Sequence, residues 1–144
     1  MSQEMEMTLR LLVAATLGFV IGLQREWKEK PAGVRTLTLI SVGSALFAII
    51  SEMGFIGGDP SRIAAGIVTG IGFLGAGAIL HRQGGVEGQT TAAAIWATAG
   101  IGLAVGAGLY LIAIVVAAIT VGGTFPPSYA NIEKSKIIFQ KIPF

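Results

Sequence analysis

The sequence has little of what most catalytic and metal-binding sites are built from. Its 144 residues include no cysteine and one histidine, and charged residues make up only 12% of the chain. The absence of cysteine excludes disulfides and thiolate metal sites, and a single histidine argues against a histidine-based metal site. The formal net charge of +2 is too small and too scattered for a nucleic-acid-binding face. No nucleophile–base pair can be assembled, so we expect neither an enzyme nor a cofactor.

Apolar residues and glycine are what the chain has in excess. Hydrophobic residues make up 53% of the sequence, and the mean hydropathy is +0.75. There are 21 glycines, about twice the ordinary share of roughly 7%, and they lie inside apolar runs. Glycine-rich helices that are apolar on all sides are typical of lipid surroundings. The composition therefore predicts an integral membrane protein whose first partner is the bilayer.

Uncharged runs at 11–24, 36–51, 63–80 and 88–132 mark the membrane spans. The last is too long for one span, and we place a tight turn at Gly106-Ala107-Gly108. Arg10, just before the first run, is expected to snorkel outward. The sequence thus predicts an all-α bundle of five transmembrane helices in a domain over 1–124, followed by a short tail at 125–144. The expected helices are 8–24, 35–52, 60–81, 90–106 and 108–123.

The basic residues indicate the orientation of the five spans. Two of them, Arg10 and Arg62, fall on one side of the membrane. All the others fall on the opposite side: Arg25, Lys28, Lys30, Arg35, Arg82, Lys134, Lys136 and Lys141. Four spans would divide the same residues evenly. By the positive-inside rule, the N-terminus lies outside and the C-terminal tail is cytoplasmic.

Glycines recur at helix-packing spacing. GxxxG pairs occur in the first, third and fourth helices, and further glycines follow in the third: Gly18 and Gly22, Gly66 and Gly70, Gly102 and Gly106, then Gly72, Gly75 and Gly77. Such positions let helix backbones approach closely. The stretch 70–75 also spells GxGxxG, but it lies inside an apolar run with no acid at the required later position, so we interpret it as a packing face. Packing within the chain and a homodimer both remain open.

Polar residues gather at the cytoplasmic ends of the first four predicted helices. We call this set the polar cluster: Arg25, Glu26, Arg35, Thr36, Glu87, Gln89, Thr90 and Thr91. It could bind a small anion, coordinate a cation, contact a partner protein, or close the bundle as a structural ion-pair network. Thr90 and Thr91 are expected to cap the fourth helix. The first choices for function are Arg25, Glu26 and Arg35, which lie nearest the membrane.

An ion path through one chain has little support in the sequence. A divalent cation needs oxygen ligands, and none of the predicted spans contains an Asp or Glu in its interior. Metal-ligating residues therefore cannot be assigned. An oligomeric pore lined by backbone carbonyls remains an alternative.

Several segments, taken in order, resemble the MgtC/SapB family of bacterial membrane proteins. They are GFVIGLQRE at 18–26, AGVRT at 32–36, GSALF at 43–47, DPSRIAA at 59–65, GIGFLGAG at 70–77, and GQTTAA at 88–93 with Trp96. The sequence departs from many members at Gln24, where they carry a glutamate. It resembles the short form, without the cytoplasmic ACT-like domain of longer members.

The resemblance implies a multi-pass protein of the bacterial inner membrane. Members are tied to growth in low magnesium and, in pathogens, to survival inside macrophages. The best-known were named magnesium transporters, whereas others are described as regulators of membrane proteins such as the proton-translocating ATP synthase. We therefore expect a non-catalytic module that acts through contacts with other membrane proteins and is linked to magnesium homeostasis. The alternative is a transporter or channel for a divalent cation.

Overall fold

The computed structural model describes residues 2–55, 57–82 and 85–123, and these form five α-helices and one short hairpin. The elements in chain order are α1 (Gln3–Trp27), α2 (Val34–Met53), α3 (Pro60–Gly77), β1 (Leu80–Arg82), β2 (Gly85–Glu87), α4 (Gln89–Gly106) and α5 (Tyr110–Gly123). The predicted helical fold with five helices is confirmed. The predicted tail at 125–144 lies outside the described residues.

Local sequence explains where α3 begins and where α4 ends. The Asp59 side chain accepts a hydrogen bond from the backbone N–H of Ser61, and Pro60 occupies the first turn of α3, as expected of a capped helix start. The turn between α4 and α5 contains Gly108 at a φ of +76°, a backbone conformation that glycine adopts without strain.

Several helix boundaries differ from the prediction, and the first helix shows the largest departure, since α1 spans Gln3–Trp27 rather than 8–24. The third helix ends at Gly77 rather than at 81, because the chain continues into an antiparallel hairpin that pairs Leu80 with Glu87. The prediction that Thr90 and Thr91 cap the fourth helix is wrong. The N-cap of α4 is Gly88, at a φ of +87°, and no side chain caps the helix.

The bundle is organised around α2 and α4. Helix α1 packs against both, α5 packs against α4 and α1, and α3 packs mainly against α4 and α2. Buried apolar residues from all five helices form the core, among them Ala14, Leu37, Ala99 and Ala113, with Ile71 as the contribution of α3. Along α3, only Ile71 and Gly75 are buried. Helix α3 therefore lies at the edge of the bundle.

The predicted packing glycines of α1 and α4 lie at close backbone contacts. A Cβ atom built on Gly18 would lie 2.8 Å from the Leu37 carbonyl oxygen, and one on Gly22 would lie 2.5 Å from the Val34 Cα. On α4, Gly102 faces the backbone of Ser41 and Gly106 faces Ala45. Only a residue without a side chain fits at such distances, so both helices approach α2 through glycine.

The glycines of α3 are arranged differently. A Cβ atom on Gly66, Gly70, Gly72 or Gly77 would meet nothing within 4 Å, and one on Gly75 would make an ordinary contact of 3.8 Å with Ala92. Of the two alternatives, packing against a neighbouring helix of the same chain is not seen for the first four in the described residues, and the homodimer stays a prediction. These four glycines point into open space because α3 is at the edge of the bundle.

Two described helices are long and apolar enough to cross a membrane, by length and composition: α1 and α2. Helix α5 is apolar but shorter, with 14 residues. These helices agree with a membrane protein, whereas the count of five spans and their orientation stay predictions.

Candidate functional site

The centre of the polar cluster is a buried arginine at the end of α1. The Arg25 side chain, 1% exposed, donates a hydrogen bond from Nη2 to Thr91 Oγ1 at 2.7 Å. The same nitrogen donates to the Pro31 carbonyl oxygen at 2.9 Å, and Nε donates to the carbonyls of Pro31 and Ala32, both at 3.2 Å. One guanidinium therefore joins the end of α1, the loop that follows it, and the first turn of α4.

The loop after α1 is shaped to present its carbonyls to Arg25. Glu29 and Ala32 both have positive φ angles, of 52° and 59°, which turn the chain sharply on either side of Lys30 and Pro31. Such angles are uncommon for residues with a side chain. The hydrogen bonds that Arg25 makes to two successive carbonyls help to hold this conformation.

Arg25 is satisfied by dipoles rather than by a counter-ion. Arg25 bonds to three neutral oxygen atoms, the carbonyl oxygens of Pro31 and Ala32 and the hydroxyl of Thr91. A buried charge is costly unless its hydrogen-bonding groups are satisfied. The sequence analysis considered an ion-pair network that closes the bundle. Around Arg25, two carbonyl oxygens and one hydroxyl join the helices instead.

Glu26 caps the neighbouring helix. Its Oε1 accepts a hydrogen bond from the backbone N–H of Val34 at 2.9 Å, at the start of α2, where the N-cap residue Gly33 has no side chain to do so. A negative charge at a helix N-terminus is also favourable for the helix dipole. A Cβ atom on Gly33 would collide with the Glu26 side chain, so a larger residue there would displace the carboxylate from its capping position.

The remaining members of the polar cluster form an exposed edge beside Arg25. Arg35 and Thr36 lie in the first turn of α2, Gln89 and Thr90 begin α4, and Glu87 ends β2; all five are exposed. We call them the polar rim. The structure thus separates the cluster into residues that hold helices together, of which Arg25 and Thr91 are buried and Glu26 is exposed, and a rim that a partner can reach.

A second buried arginine, Arg10, lies about two turns after the start of α1. Arg10 is 9% exposed; its Nη1 donates to Glu52 Oε2 at 2.9 Å and to the Gly106 carbonyl oxygen at 2.7 Å, and its Nη2 donates to Glu6 Oε1 at 2.6 Å. The expectation that Arg10 snorkels outward is wrong, since these contacts connect α1 to the ends of α2 and α4. Sequence reasoning missed this site, although the i, i+4 spacing of Glu6 and Arg10 was a signal.

The described residues contain no group of three or more His, Asp or Glu side chains that could hold a metal ion. Glu52 and Asp59, which lie near the Arg10 end, are used otherwise: Glu52 pairs with Arg10, and Asp59 caps α3. Metal-ligating residues therefore stay unassigned among the described residues.

A bundle of apolar helices that approach through glycine, with a buried arginine at each end of one helix pair, defines a helical membrane-protein domain. The chain belongs to the MgtC family, whose sequence model matches residues 11–125. It is 50% identical to the "Putative magnesium transporter YhiD" of Escherichia coli K12, over 73% of this chain and 53% of that protein. It is 48% identical to "Protein MgtC" of Salmonella typhimurium, over 71% of this chain and 44% of that protein.

An uncharacterized protein of Haemophilus influenzae is 47% identical, over 74% of this chain and 49% of that protein. The chain therefore spans about half the length of the curated relatives it matches. No solved structure matches it.

Proposed function

We propose that the chain is a non-catalytic module of the bacterial inner membrane that serves magnesium homeostasis by contacting other membrane proteins. The observation that carries the proposal is the pair of buried arginines at the two ends of the contact between α1 and α4. Arg25 bonds to Thr91 at the start of α4, and Arg10 bonds to Gly106 at its end. The link to magnesium comes from the name of the Escherichia coli relative, the "Putative magnesium transporter YhiD".

Arg25 makes its end of the bundle core unfavourable for a cation. A cation that entered between α1 and α4 at this end would meet a buried positive charge that bonds to neutral oxygen atoms, and like charges repel strongly where water is scarce. At the other end, Glu6 and Glu52 offset the charge of Arg10. Two hydroxyl groups in the core are also engaged: Ser41 donates to the Ala14 carbonyl oxygen and Thr98 to that of Ala94, both at 2.7 Å. These groups support a closed bundle whose action takes place on its surface.

The polar rim is the surface that we propose for contact with a partner. Its residues are exposed at the ends of elements that Arg25 and Glu26 hold in place. Arg35 provides a planar, permanently charged group suited to carboxylates. A partner with acidic residues near the membrane surface fits this edge, and the family resemblance suggests the proton-translocating ATP synthase as one such partner.

The second candidate function is transport of a divalent cation. The name of the Escherichia coli relative favours it, and a pathway between several copies of the chain would bypass the α1–α4 contact. Backbone carbonyls can line such a pore.

Flux into sealed liposomes separates the two candidates. Purified protein is reconstituted into vesicles that enclose a magnesium-sensitive dye, with empty vesicles and ionophore-treated vesicles as controls. We expect the dye signal to follow that of the empty vesicles. A saturable magnesium flux that depends on the amount of protein would contradict the regulatory proposal and establish the transporter.

Growth at limiting magnesium tests the rim directly. In a bacterium that lacks its own MgtC-family member, the unmodified chain should restore growth and Arg35→Ala should not, at equal amounts of protein in the membrane. Glu4→Ala, which removes an exposed charge at the other end of the bundle, is the control and should restore growth. Full restoration of growth by Arg35→Ala would contradict the proposal that the polar rim contacts a partner through Arg35.

A further inference from the structure

A groove runs between α2 and α3 on the side away from α4. Its volume is about 490 Å³, and its lining residues come from α2 and α3 alone. Leu39 and Phe47 line it from α2 and remain 72% and 54% exposed, so the groove is open at its side. Ser44 is the one side chain with a polar atom in the lining, which makes the groove suited to an apolar occupant.

The floor of the groove is made by glycine. Gly43 on α2, and Gly66 and Gly70 on α3, all line it, and a Cβ atom on any of them would meet nothing within 4 Å. The space that a side chain would fill at these positions is therefore part of the groove. Within the described chain, no residue enters that space.

The length of the groove favours a lipid acyl chain over a transmembrane helix of a partner. Its lining on α3 extends from Ile63 to Leu74, which is about 16 Å at the rise of an α-helix. A transmembrane helix of a partner crosses about 30 Å of hydrocarbon, whereas the acyl chains of one leaflet occupy about half of that depth. The groove has the length of an acyl chain rather than that of a spanning helix.

A positive charge lies at one end of the groove. Arg62 is exposed in the first turn of α3, and its guanidinium has no ion-pair partner among the described residues. Arg62, Gly66 and Gly70 follow one another at i, i+4 spacing, so they lie along the same side of the helix. A phosphate group bound at Arg62 would place the chains attached to it at the entrance of the groove.

We propose that the groove between α2 and α3 binds one acyl chain of a phospholipid whose phosphate group pairs with Arg62. Apolar burial supplies the affinity along the groove, and the guanidinium–phosphate contact selects a lipid with a phosphate headgroup. The site is independent of whether the chain regulates other proteins or transports an ion.

Native mass spectrometry of the full chain in detergent, titrated with dioleoyl phosphatidylglycerol, tests the proposal. The unmodified chain should bind a first lipid more tightly than further ones. Gly66→Leu and Gly70→Leu should weaken that first binding step by about tenfold, the ratio expected when roughly two methylenes lose their burial. Because the space around both glycines is open, these variants should keep the melting temperature of the unmodified chain.

Gly72→Leu is the matched control. Gly72 lies on the same helix and is equally open, but it does not line the groove, so this variant should bind the first lipid as the unmodified chain does. Arg62→Gln should weaken binding of the phospholipid but not of a dioleoylglycerol, which lacks the phosphate. Arg62→Lys should restore most of the phospholipid affinity.

Equal affinity for the first lipid in the unmodified chain, Gly66→Leu and Gly72→Leu would overturn the proposal. A dimer that Gly66→Leu dissociates, with lipid binding unchanged, would also overturn it and assign the groove to a second copy of the chain. If a leucine on α3 lowers the melting temperature, Gly43→Leu fills the same groove from α2 and decides the outcome.

Discussion

Arg25 at the end of α1 donates a 2.7 Å hydrogen bond to Thr91 in the first turn of α4. The other end of the same helix pair is closed in the same way, by the 2.7 Å bond from Arg10 to the Gly106 carbonyl oxygen. Arg10 precedes Arg25 by fifteen residues, and Gly106 follows Thr91 by fifteen. The early residue of α1 contacts the end of α4 and the late residue of α1 contacts its start, so the two helices are antiparallel. Because fifteen residues separate the two contacts on each helix, the distance between them is the same on both helices.

Replacement of Arg25 should destabilise the bundle. Arg25→Met removes the guanidinium, leaves the Pro31 and Ala32 carbonyls without their donor, and should lower the free energy of unfolding by about 2–4 kcal/mol. Thermal unfolding in detergent measures the change. Arg35→Met, at an exposed position of the same cluster, is the control and should stay within roughly 0.5 kcal/mol; equal losses in the two variants would contradict the burial argument.

Loss of the buried Arg10 side chain should cost more stability than loss of one of its half-exposed carboxylate partners. Glu6 and Glu52 are about half exposed, with 41% and 50% of their side-chain surface accessible, so Glu52→Gln should cost less than about 1 kcal/mol and less still at high salt. Arg10→Met should cost more, because the Gly106 carbonyl then loses its donor. The free energies of unfolding of both variants, measured at low and high ionic strength, test this prediction. A larger loss of stability for Glu52→Gln than for Arg10→Met would contradict it.

Two glycines in different surroundings should respond in opposite ways to the same substitution. Gly106→Ala places a methyl group 2.6 Å from the Ala45 carbonyl oxygen and should lower stability by about 1–3 kcal/mol through overpacking. Gly70→Ala meets open space and should be neutral or slightly stabilising, since alanine is the better helix former by about 1 kcal/mol. A destabilised Gly70→Ala would show that the open face of α3 is occupied.

The cap of α3 should respond to acid. Hydrogen bonds from Ser61, first from its side chain and then from its backbone N–H, hold the pKa of Asp59 below its ordinary value. A carboxylate with a lowered pKa in the folded state contributes stability above the unfolded-state pKa of about 3.9. That contribution should be lost as the pH falls below this value and through the folded-state pKa.

Unfolding of the chain between pH 5 and pH 2, compared with Asp59→Asn, isolates the effect of this carboxyl. The asparagine variant retains a capping oxygen and has no carboxyl to titrate at this position. The difference in stability between the two proteins should therefore shrink as the pH falls. If the difference in stability stayed constant over this range, the Asp59 carboxyl would not contribute to the loss of stability in acid.

Much of the fold follows from local sequence. Uncharged runs predicted the helices, because apolar residues without breakers form helices in a medium that cannot hydrogen-bond to the backbone. Asp59 and Pro60 marked the start of α3, and the glycines at 106 and 108 marked the turn after α4. The hairpin after α3 was missed because its three-residue strands are too short to show a pattern.

The candidate site could be predicted only in part. The polar residues near the helix ends were recognised from their places between uncharged runs. Their roles were not, because Arg25 bonds to Thr91, 66 positions away along the chain, and Arg10 reaches Gly106 across 96. No local pattern encodes such distant partners.

The sequence by itself determined the helices, the membrane character and the supply of small residues. The tertiary structure decided which glycines are contacts and which form a groove. Gly102 and Gly70 are both glycines of apolar helices, yet one faces the Ser41 backbone and the other faces open space. The difference arises because α4 lies in the middle of the bundle and α3 at its edge, and helix position depends on packing among all the helices.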